Sequence, residues 1–438
     1  MLVRFFNFLE RLGLKNPFAN RKEVTKFLIL AVGAFMMMGA QWPIKILKDG
    51  LLVGEVGADD QPIMRFLSIF ACLAISLIYG QLVSTFRRET VLYIIISILT
   101  VLGMGFYVLL GYGSMGITWL TKEYVVRAFY LYADAFAVLT IPTFWAFVND
   151  VTTPDEAKRC YGLIVFATQV GGLITVLASR MMLIRTIGSQ GIVLMSIFFL
   201  LGLAGIIVAL LRNVSKDALL GYVVEQKPAK EKHNIPFLRG LVLLLASPYV
   251  AGILFLTAAP EILTSVLSFK WFKIVELSFA NNKGGIVTFM FDYALLIQVV
   301  SCTFSLLGGF YYNVLGVRNC IIAYPLFLLG CASLMLYFPA LIPTTICLAF
   351  VRGLHYALNK PAREILYIPT TKDVKYKSKA WIEVFGSRIF KATGSTLCKL
   401  PGQLATIFLL TTPLVWVLVA SFVGKRYEES VKKNEAVV

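Results

Sequence analysis

Leaving aside those near the ends, ten charged side chains stand out in long apolar runs, and six of them are cations. Lys45, Lys48, Arg127, Arg352, Arg388 and Lys391 stand against Asp134, Glu261, Asp292 and Glu383. A charge in such a run costs ~2.5–3.5 kcal/mol to insert into a bilayer, so each needs a reason to be there. Lys45 and Lys48 are three apart, as are Arg388 and Lys391, which puts each pair on one helical face. Arg127 and Asp134, seven apart, also share a face. Glu261 follows Pro260, where a broken helix can line a cavity. A cavity with this cation excess suits a multiply charged anion. Lysine offers phosphate a point charge and arginine a bidentate fork. Trp42, Tyr130, Tyr132, Phe136 and Trp145 lie in the same runs and offer faces on which a base can stack. Each residue also has a structural reading. The first two lysines can snorkel to headgroups. Arg127, Asp134, Arg388 and Glu383 can form ion pairs that only hold helices together, and Asp292 reads as such a partner.

The elements that position these groups follow from composition. Of 438 residues, 58% are hydrophobic and only 15% charged, with net charge +17. Soluble proteins carry roughly 25% charged residues. The mean hydropathy is +0.79. A soluble enzyme, a disordered chain and a disulfide scaffold are excluded, and a polytopic membrane protein remains. Twelve apolar runs are each long enough to span as a helix: 24–48, 63–84, 91–111, 124–148, 160–184, 190–211, 246–269, 286–312, 318–338, 341–358, 381–399 and 403–424. None shows the ten-residue alternation of a barrel strand. Residues 1–23 mix Phe5, Phe6 and Phe8 with Arg4, Glu10 and Arg11, which predicts a helix on the membrane surface rather than a signal peptide.

With the N-terminus in the cytoplasm, the cytoplasmic segments hold 27 Lys and Arg, and the opposite loops and helix ends hold seven. That bias places both termini in the cytoplasm. The longest polar connection, 212–239, divides the chain into halves of six helices, 24–211 and 240–424, with a tail at 425–438. Two six-helix halves joined by a cytoplasmic linker are the layout of the major facilitator fold, whose halves rock about a central site. Gly80, Arg87 and Arg88 fall where that superfamily carries a Gly-plus-basic turn. There is no phosphate-cradling G-x-x-x-x-G-K-[ST], no G-x-S-x-G and no H-E-x-x-H. No enzyme activity and no cofactor are expected. The seven cysteines lack C-x-x-C spacing and read as small core residues.

Five stretches resemble motifs of the ATP/ADP translocases of obligate intracellular bacteria and plastids. Ile44-Lys45-Ile46-Leu47-Lys48-Asp49-Gly50-Leu51-Leu52-Val53 resembles L-R-x-x-K-D-x-L-V-V. Phe144-Trp145-Ala146-Phe147-Val148-Asn149-Asp150-Val151-Thr152 resembles F-W-x-F-A-N-Q-I-T, and Glu156-Ala157-Lys158-Arg159-Cys160-Tyr161 resembles E-A-K-R-F-Y. Tyr367-Ile368-Pro369 with Lys372-Asp373 resembles Y-I-P-x-x-K-D. Glu383-Val384-Phe385-Gly386-Ser387-Arg388 with Lys391 resembles E-V-x-G-x-R-x-x-K-S-G-G. The resemblance spans nearly the whole chain. It implies a twelve-helix nucleotide carrier of the bacterial inner membrane, exchanging ATP for ADP. Its charged exchange residues carry over to Lys48 in the first helix and Lys391 in the eleventh. Arg388, Lys45, Arg127, Arg352 and Asn149 are added as substrate contacts.

Two acidic positions depart from that pattern. Asp134 stands in Ala133-Asp134-Ala135-Phe136-Ala137 where the resemblance has a Glu. Ser268, three residues before Trp271, stands where it has another, with Glu261 two turns earlier as a substitute. Asp134, Glu261 and Ser268 are therefore the coupling positions. Three readings stay open: an ATP/ADP exchanger, a carrier of another phosphorylated metabolite or NAD coupled to protons through Asp134 or Glu261, and a non-transporting scaffold or sensor. The expected partners are a nucleotide and the bilayer, with no nucleic acid and a monomeric state.

Overall fold

The computed structural model describes residues 21–112, 121–184, 188–214, 247–280, 282–306, 311, 314–367, 369–370, 382, 386–398 and 402–433. Their helices are α1 (Arg21–Leu51), α2 (Gln61–Thr85), α3 (Arg88–Tyr112), α4 (Lys122–Asp150), α5 (Pro154–Ile184), α6 (Gly188–Asn213), α7 (Pro248–Ser278), α8 (Lys283–Leu306), α9 (Gly316–Tyr337), α10 (Leu341–Leu366), α11 (Ser387–Leu397) and α12 (Gly402–Lys433). Eleven of them are long and apolar enough to cross a bilayer. The expected run 381–399 lies partly outside the described residues, and α11 is its helical part. Most of the surface helix at 1–23, most of the linker 212–239 and Glu383 also lie outside them. The chain is an all-α polytopic membrane protein.

Several helices outrun their apolar stretches. The seventh run ends at residue 269, yet α7 continues to Ser278 and buries Trp271, Phe272 and Val275 on the way. Lys270, Lys273 and Glu276 stop the apolar run without stopping the helix. The break expected at Pro260 is absent. Proline removes one backbone hydrogen bond, but α7 is helical throughout, and the hydroxyls of Thr264 and Ser265 bond back to the carbonyls of Pro260 and Glu261 at 2.6 and 2.7 Å.

In α10 a proline does distort the helix. Pro361 has no N–H, and its ring would crowd the carbonyl of residue 357. The preceding turn widens to a π-helix over His355–Asn359, closed by the Lys360 amide on the His355 carbonyl. A similar widening ends α1. Residues Leu52–Val56 form a π-turn closed by Gly57 N on Leu52 O at 2.9 Å. Gly57 then adopts φ 121° and ψ 159°, a conformation open almost only to glycine. A 3-10 turn at Ala58–Asp60 leads into α2.

Chain contacts define two compact units, Met1–Leu47 with Cys72–Ala229, and Lys48–Ala71 with Lys230–Val438. In the first, α3 packs on α4 and α6, and α5 on α6. The Tyr132 hydroxyl donates to Leu99 O at 3.0 Å. Phe106, Phe129, Tyr132 and Phe136 fill the space around it. In the second, α7 lies among α10, α11 and α12, and α9 packs on α12 and α10. All seven cysteines are free and five are buried, as core packing requires.

The start of α5 explains one stretch of the sequence. Thr153 N donates to Glu156 Oε2 at 2.9 Å, and Glu156 N donates to Thr153 Oγ1 at 3.4 Å. This is a capping box. The same carboxylate receives Lys26 Nζ at 2.9 Å, with Lys26 only 1% exposed. Glu156 therefore starts a helix and neutralises a buried cation. Burial alone would raise its carboxyl, but the Thr153 amide, the Lys26 ammonium and the Thr153 hydroxyl outweigh that and hold it below the ordinary carboxylate value. A depressed carboxyl stabilises the fold above its unfolded value, and that stability is lost as pH falls through the folded one. We expect Glu156→Gln to lower stability by ~1.5–3 kcal/mol, the worth of a charge-assisted hydrogen bond. The difference from the parent should vanish in acid, as pH falls through the depressed folded-state value of this carboxyl. Thermal unfolding of the purified protein as a function of pH checks both.

Candidate substrate site in the C-terminal unit

The second compact unit collects Lys48, Glu261, Ser268, Arg352 and Lys391. Close helix packing sets their positions. A Cβ on Gly394 would lie 2.8 Å from Ile262 O and 2.7 Å from Ser265 Cβ, so only glycine lets α11 approach α7 here. That approach brings Lys391 Nζ to 3.6 Å from Glu261 Oε2. Glu261 is 18% exposed and Lys391 56%. The lysine is thus held loosely, with most of its ammonium open.

One α7 turn and three residues on, Ser268 is fully buried. Its hydroxyl donates to Thr264 O and accepts Arg352 Nη2 at 2.8 Å. Arg352 Nε has no protein partner, and neither has the Tyr293 hydroxyl on α8. The carboxylates of Asp49 and Glu261 act electrostatically on Arg352. The Tyr293 ring packs tilted by 41° against Trp271, centroids 4.3 Å apart, and Trp271 Nε1 donates to Thr345 Oγ1 at 2.8 Å. The α10 π-turn completes the group: Lys391, His355, Arg363 and Arg352 all act on Glu261. Arg363 Nε is also without a protein partner. His355 Nδ1 lies 3.3 Å from Asn359 Nδ2.

Lys391 therefore pairs with the Glu261 carboxylate, and the positive charges of Arg352 and Arg363 also favour it electrostatically. Arg352 bonds to a neutral hydroxyl, and unsatisfied N–H and O–H groups stand beside it. Buried donors without acceptors are costly, ~1–3 kcal/mol each. A polyanion that enters here removes that cost. Lys48, 8% exposed and engaged with neighbouring groups, stands beside Asp49 at the end of α1. With Lys391 open, the two lysines are not both sealed.

The other predicted residues lie in the first unit or outside the described side chains. Lys45 Nζ sits 4.4 Å over the Trp42 ring, a cation–π contact. Arg127 pairs with Glu123 one turn away at 3.7 Å and lies 5.7 Å over Tyr124. Asp134 is partly exposed on α4 and has electrostatic neighbours of its own. Asn149 is exposed and its Oδ1 accepts the Tyr161 hydroxyl at 2.6 Å. The side chain of Arg388 is outside the described set. The sequence reading missed Tyr293, His355 and Arg363. His355 had a signal, being a histidine inside an apolar run. Arg363 had none, because it follows the run that ends at 358.

Eleven described helices of membrane-spanning length, with cations gathered near a carboxylate among them, fit a membrane carrier of the major facilitator fold. The comparison with solved structures agrees. A variant of the nucleoside transporter NupG superposes with TM-score 0.61 at 11% identity, covering 92% of this chain and 99% of that one. The inward-open xylose transporter XylE from E. coli gives TM-score 0.58 at 13% identity, covering 92% and 95%.

The chain belongs to the TLC ATP/ADP transporter family, whose model matches residues 17–112, 108–344 and 329–423. It is 24% identical to ADP,ATP carrier protein 4 of Rickettsia bellii (strain RML369-C), covering 95% of this chain and 92% of that protein. It is 22% identical to ADP,ATP carrier protein 1 of Rickettsia prowazekii (strain Madrid E), covering 94% and 95%. It is a transporter and not an enzyme.

Proposed function

We propose that this protein exchanges ATP for ADP by alternating access across a bacterial inner membrane, with both termini in the cytoplasm. The observation that carries the reading is the arrangement around Glu261. Lys391 is open to a ligand at 3.6 Å from that carboxylate, and Arg352 rests on a neutral serine with one N–H unsatisfied. Phosphate oxygens replace both partners at once, taking a point charge from lysine and a fork from arginine. Lys48 adds a third cation from the first helix, and Arg388 a fourth from the eleventh. Lys45, Arg127 and Asn149 contact the substrate from the first six helices. Halves 24–211 and 240–424 rock about the site as a monomer.

Ser268 favours a second reading. With a hydroxyl in place of a carboxylate on Arg352, the unloaded site lacks an internal acid at that contact. A carrier of another phosphorylated metabolite or NAD, coupled to protons at Asp134 or Glu261, fits this as well. Purified protein in liposomes separates the two. Labelled ATP, ADP, NAD and nucleoside monophosphates are offered with and without internal ADP, and with an uncoupler. Exchange requires uptake that depends on internal ADP and ignores the uncoupler. Uptake that collapses with the uncoupler and ignores internal ADP establishes the proton-coupled carrier instead.

A further inference from the structure

The turn between α1 and α2 precedes the linker by more than one hundred and fifty residues, yet it packs within the unit built from the last six helices. Its π-turn lies against α8 and its 3-10 turn against α7. Two ion pairs described across this contact have the acid on the elbow and the base on the helices. Asp59 Oδ2 takes Lys273 Nζ at 2.6 Å, and Glu55 Oε2 takes Lys283 Nζ at 3.5 Å. Asp49, one π-turn earlier, acts electrostatically on Arg352 with the same polarity. The elbow is shaped for this seat. Gly57 is held at φ 121°, where any side chain is strained, and a Cβ on Gly54 would lie 3.2 Å from Lys283 O. Leu52, Val53 and Gly54 are buried beneath it.

The ion pairs themselves are wet. Asp59 is 79% exposed and Lys283 62%. Pairs of this kind are weak and screened by salt. Weakness suits a contact that opens in each cycle and is unsuited to one that merely holds a fold. When it opens, Lys283 loses Glu55 and Lys273 loses Asp59, keeping Glu276 of its own helix at 3.5 Å.

We propose that this elbow is an electrostatic latch over a phosphate-landing site: Lys273 and Lys283, neutralised by Asp59 and Glu55 while the elbow is seated, meet the phosphates of an incoming nucleotide once it lifts. The second half of the proposal rests on the nucleotide-carrier reading; the first does not. With the termini in the cytoplasm, the latch faces outward.

Val53, 2% exposed beneath the elbow, reports on the latch without any nucleotide. Val53→Cys is labelled with a membrane-impermeant maleimide, above the background of the native cysteines. Glu55→Gln with Asp59→Asn, and separately Lys273→Gln with Lys283→Gln, should each speed labelling about three- to tenfold, since an exposed pair shifts a population by up to about fivefold. The exchange Glu55→Lys with Lys283→Glu should restore slow labelling. High salt should speed labelling in the parent and leave the neutralised variants unchanged. Unchanged labelling in both neutralised pairs overturns the latch. The landing site is read from uptake. The lysine pair should raise the half-saturating external ATP about tenfold and AMP much less, whereas the acid pair should leave it unchanged or lower it. Equal half-saturation in the two pairs overturns the landing site and leaves the labelling result standing. Asp59 and Lys283 are exposed and Lys273 and Glu55 half-buried, and the replacements keep their size, so gel filtration should show folded protein throughout.

Discussion

Lys391→Ala is expected to transport about ten- to a hundredfold more slowly, with near-normal amounts of folded protein. One charge-assisted contact to phosphate is worth ~1.5–3 kcal/mol, and each 1.4 kcal/mol is about tenfold. The fold tolerates the loss because Lys391 is more than half exposed and its pairing with Glu261 at 3.6 Å is open to water. Glu261 keeps Arg352, Arg363 and His355 as electrostatic neighbours. Lys48 demands more care. It is 8% exposed, so its alkyl stem packs, and truncation to alanine removes buried area as well as charge. Lys48→Met keeps the stem and should show the same transport defect without the stability loss. Uptake into liposomes, scaled to the protein recovered by gel filtration, checks both. Normal uptake by either charge-removing variant takes that lysine out of the substrate site.

Ser268→Glu is expected to turn the carrier toward obligatory exchange. Ser268 already accepts Arg352 Nη2 at 2.8 Å, so a carboxylate grown from this position meets the guanidinium directly. The guanidinium–hydroxyl contact, already charge-assisted and worth ~1.5–3 kcal/mol, becomes an ion pair that also offsets the arginine's charge. In the empty state Arg352 is then occupied by an internal anion, and a substrate phosphate must displace it. Uptake without internal ADP should fall about tenfold, while ADP-loaded exchange persists. Ser268 is fully buried, and the added volume strains the packing by about 1–3 kcal/mol. Ser268→Gln adds the same bulk without charge and should leave the dependence on internal ADP unchanged. An equal response in the two variants would make the effect one of size and remove Ser268 from coupling.

Much of the architecture was legible because insertion into lipid leaves a coarse signature. Twenty apolar residues read the same whatever they pack against, and that located every described spanning helix. Helix ends were less legible. An apolar run stops where the bilayer stops, whereas α7 carries Lys270 and Lys273 onward on a helix that still buries Trp271 and Phe272. Proline misled in one place and stayed unread in another. Pro260 was expected to break α7 and did not, the helix running on unbroken to Ser278. Pro361 lay beyond the expected end of its run and escaped notice, although it is the residue that opens the π-turn bearing His355. Of the site, the types were legible and the partners were not. Lys391 and Glu261 stand far apart in sequence, and nothing in spacing joins them until Gly394 lets α11 settle on α7. Glu156 shows the converse. It sits in a stretch matched by resemblance, and its contacts are a helix cap and a buried lysine rather than a substrate.

The serine beneath Arg352 also bears on voltage. A guanidinium whose direct hydrogen-bond partner is a hydroxyl keeps its full charge when no substrate is bound. If the site reorients empty, that charge moves in the membrane field, and one charge crossing the whole field is worth about 2.3 kcal/mol per 100 mV. An inside-negative membrane then draws the unloaded site toward the cytoplasm and resists its return. A substrate anion cancels the bias by occupying the arginine. The resting direction of the empty carrier would in this way be set by the cell's own membrane potential, through a single neutral contact on α7.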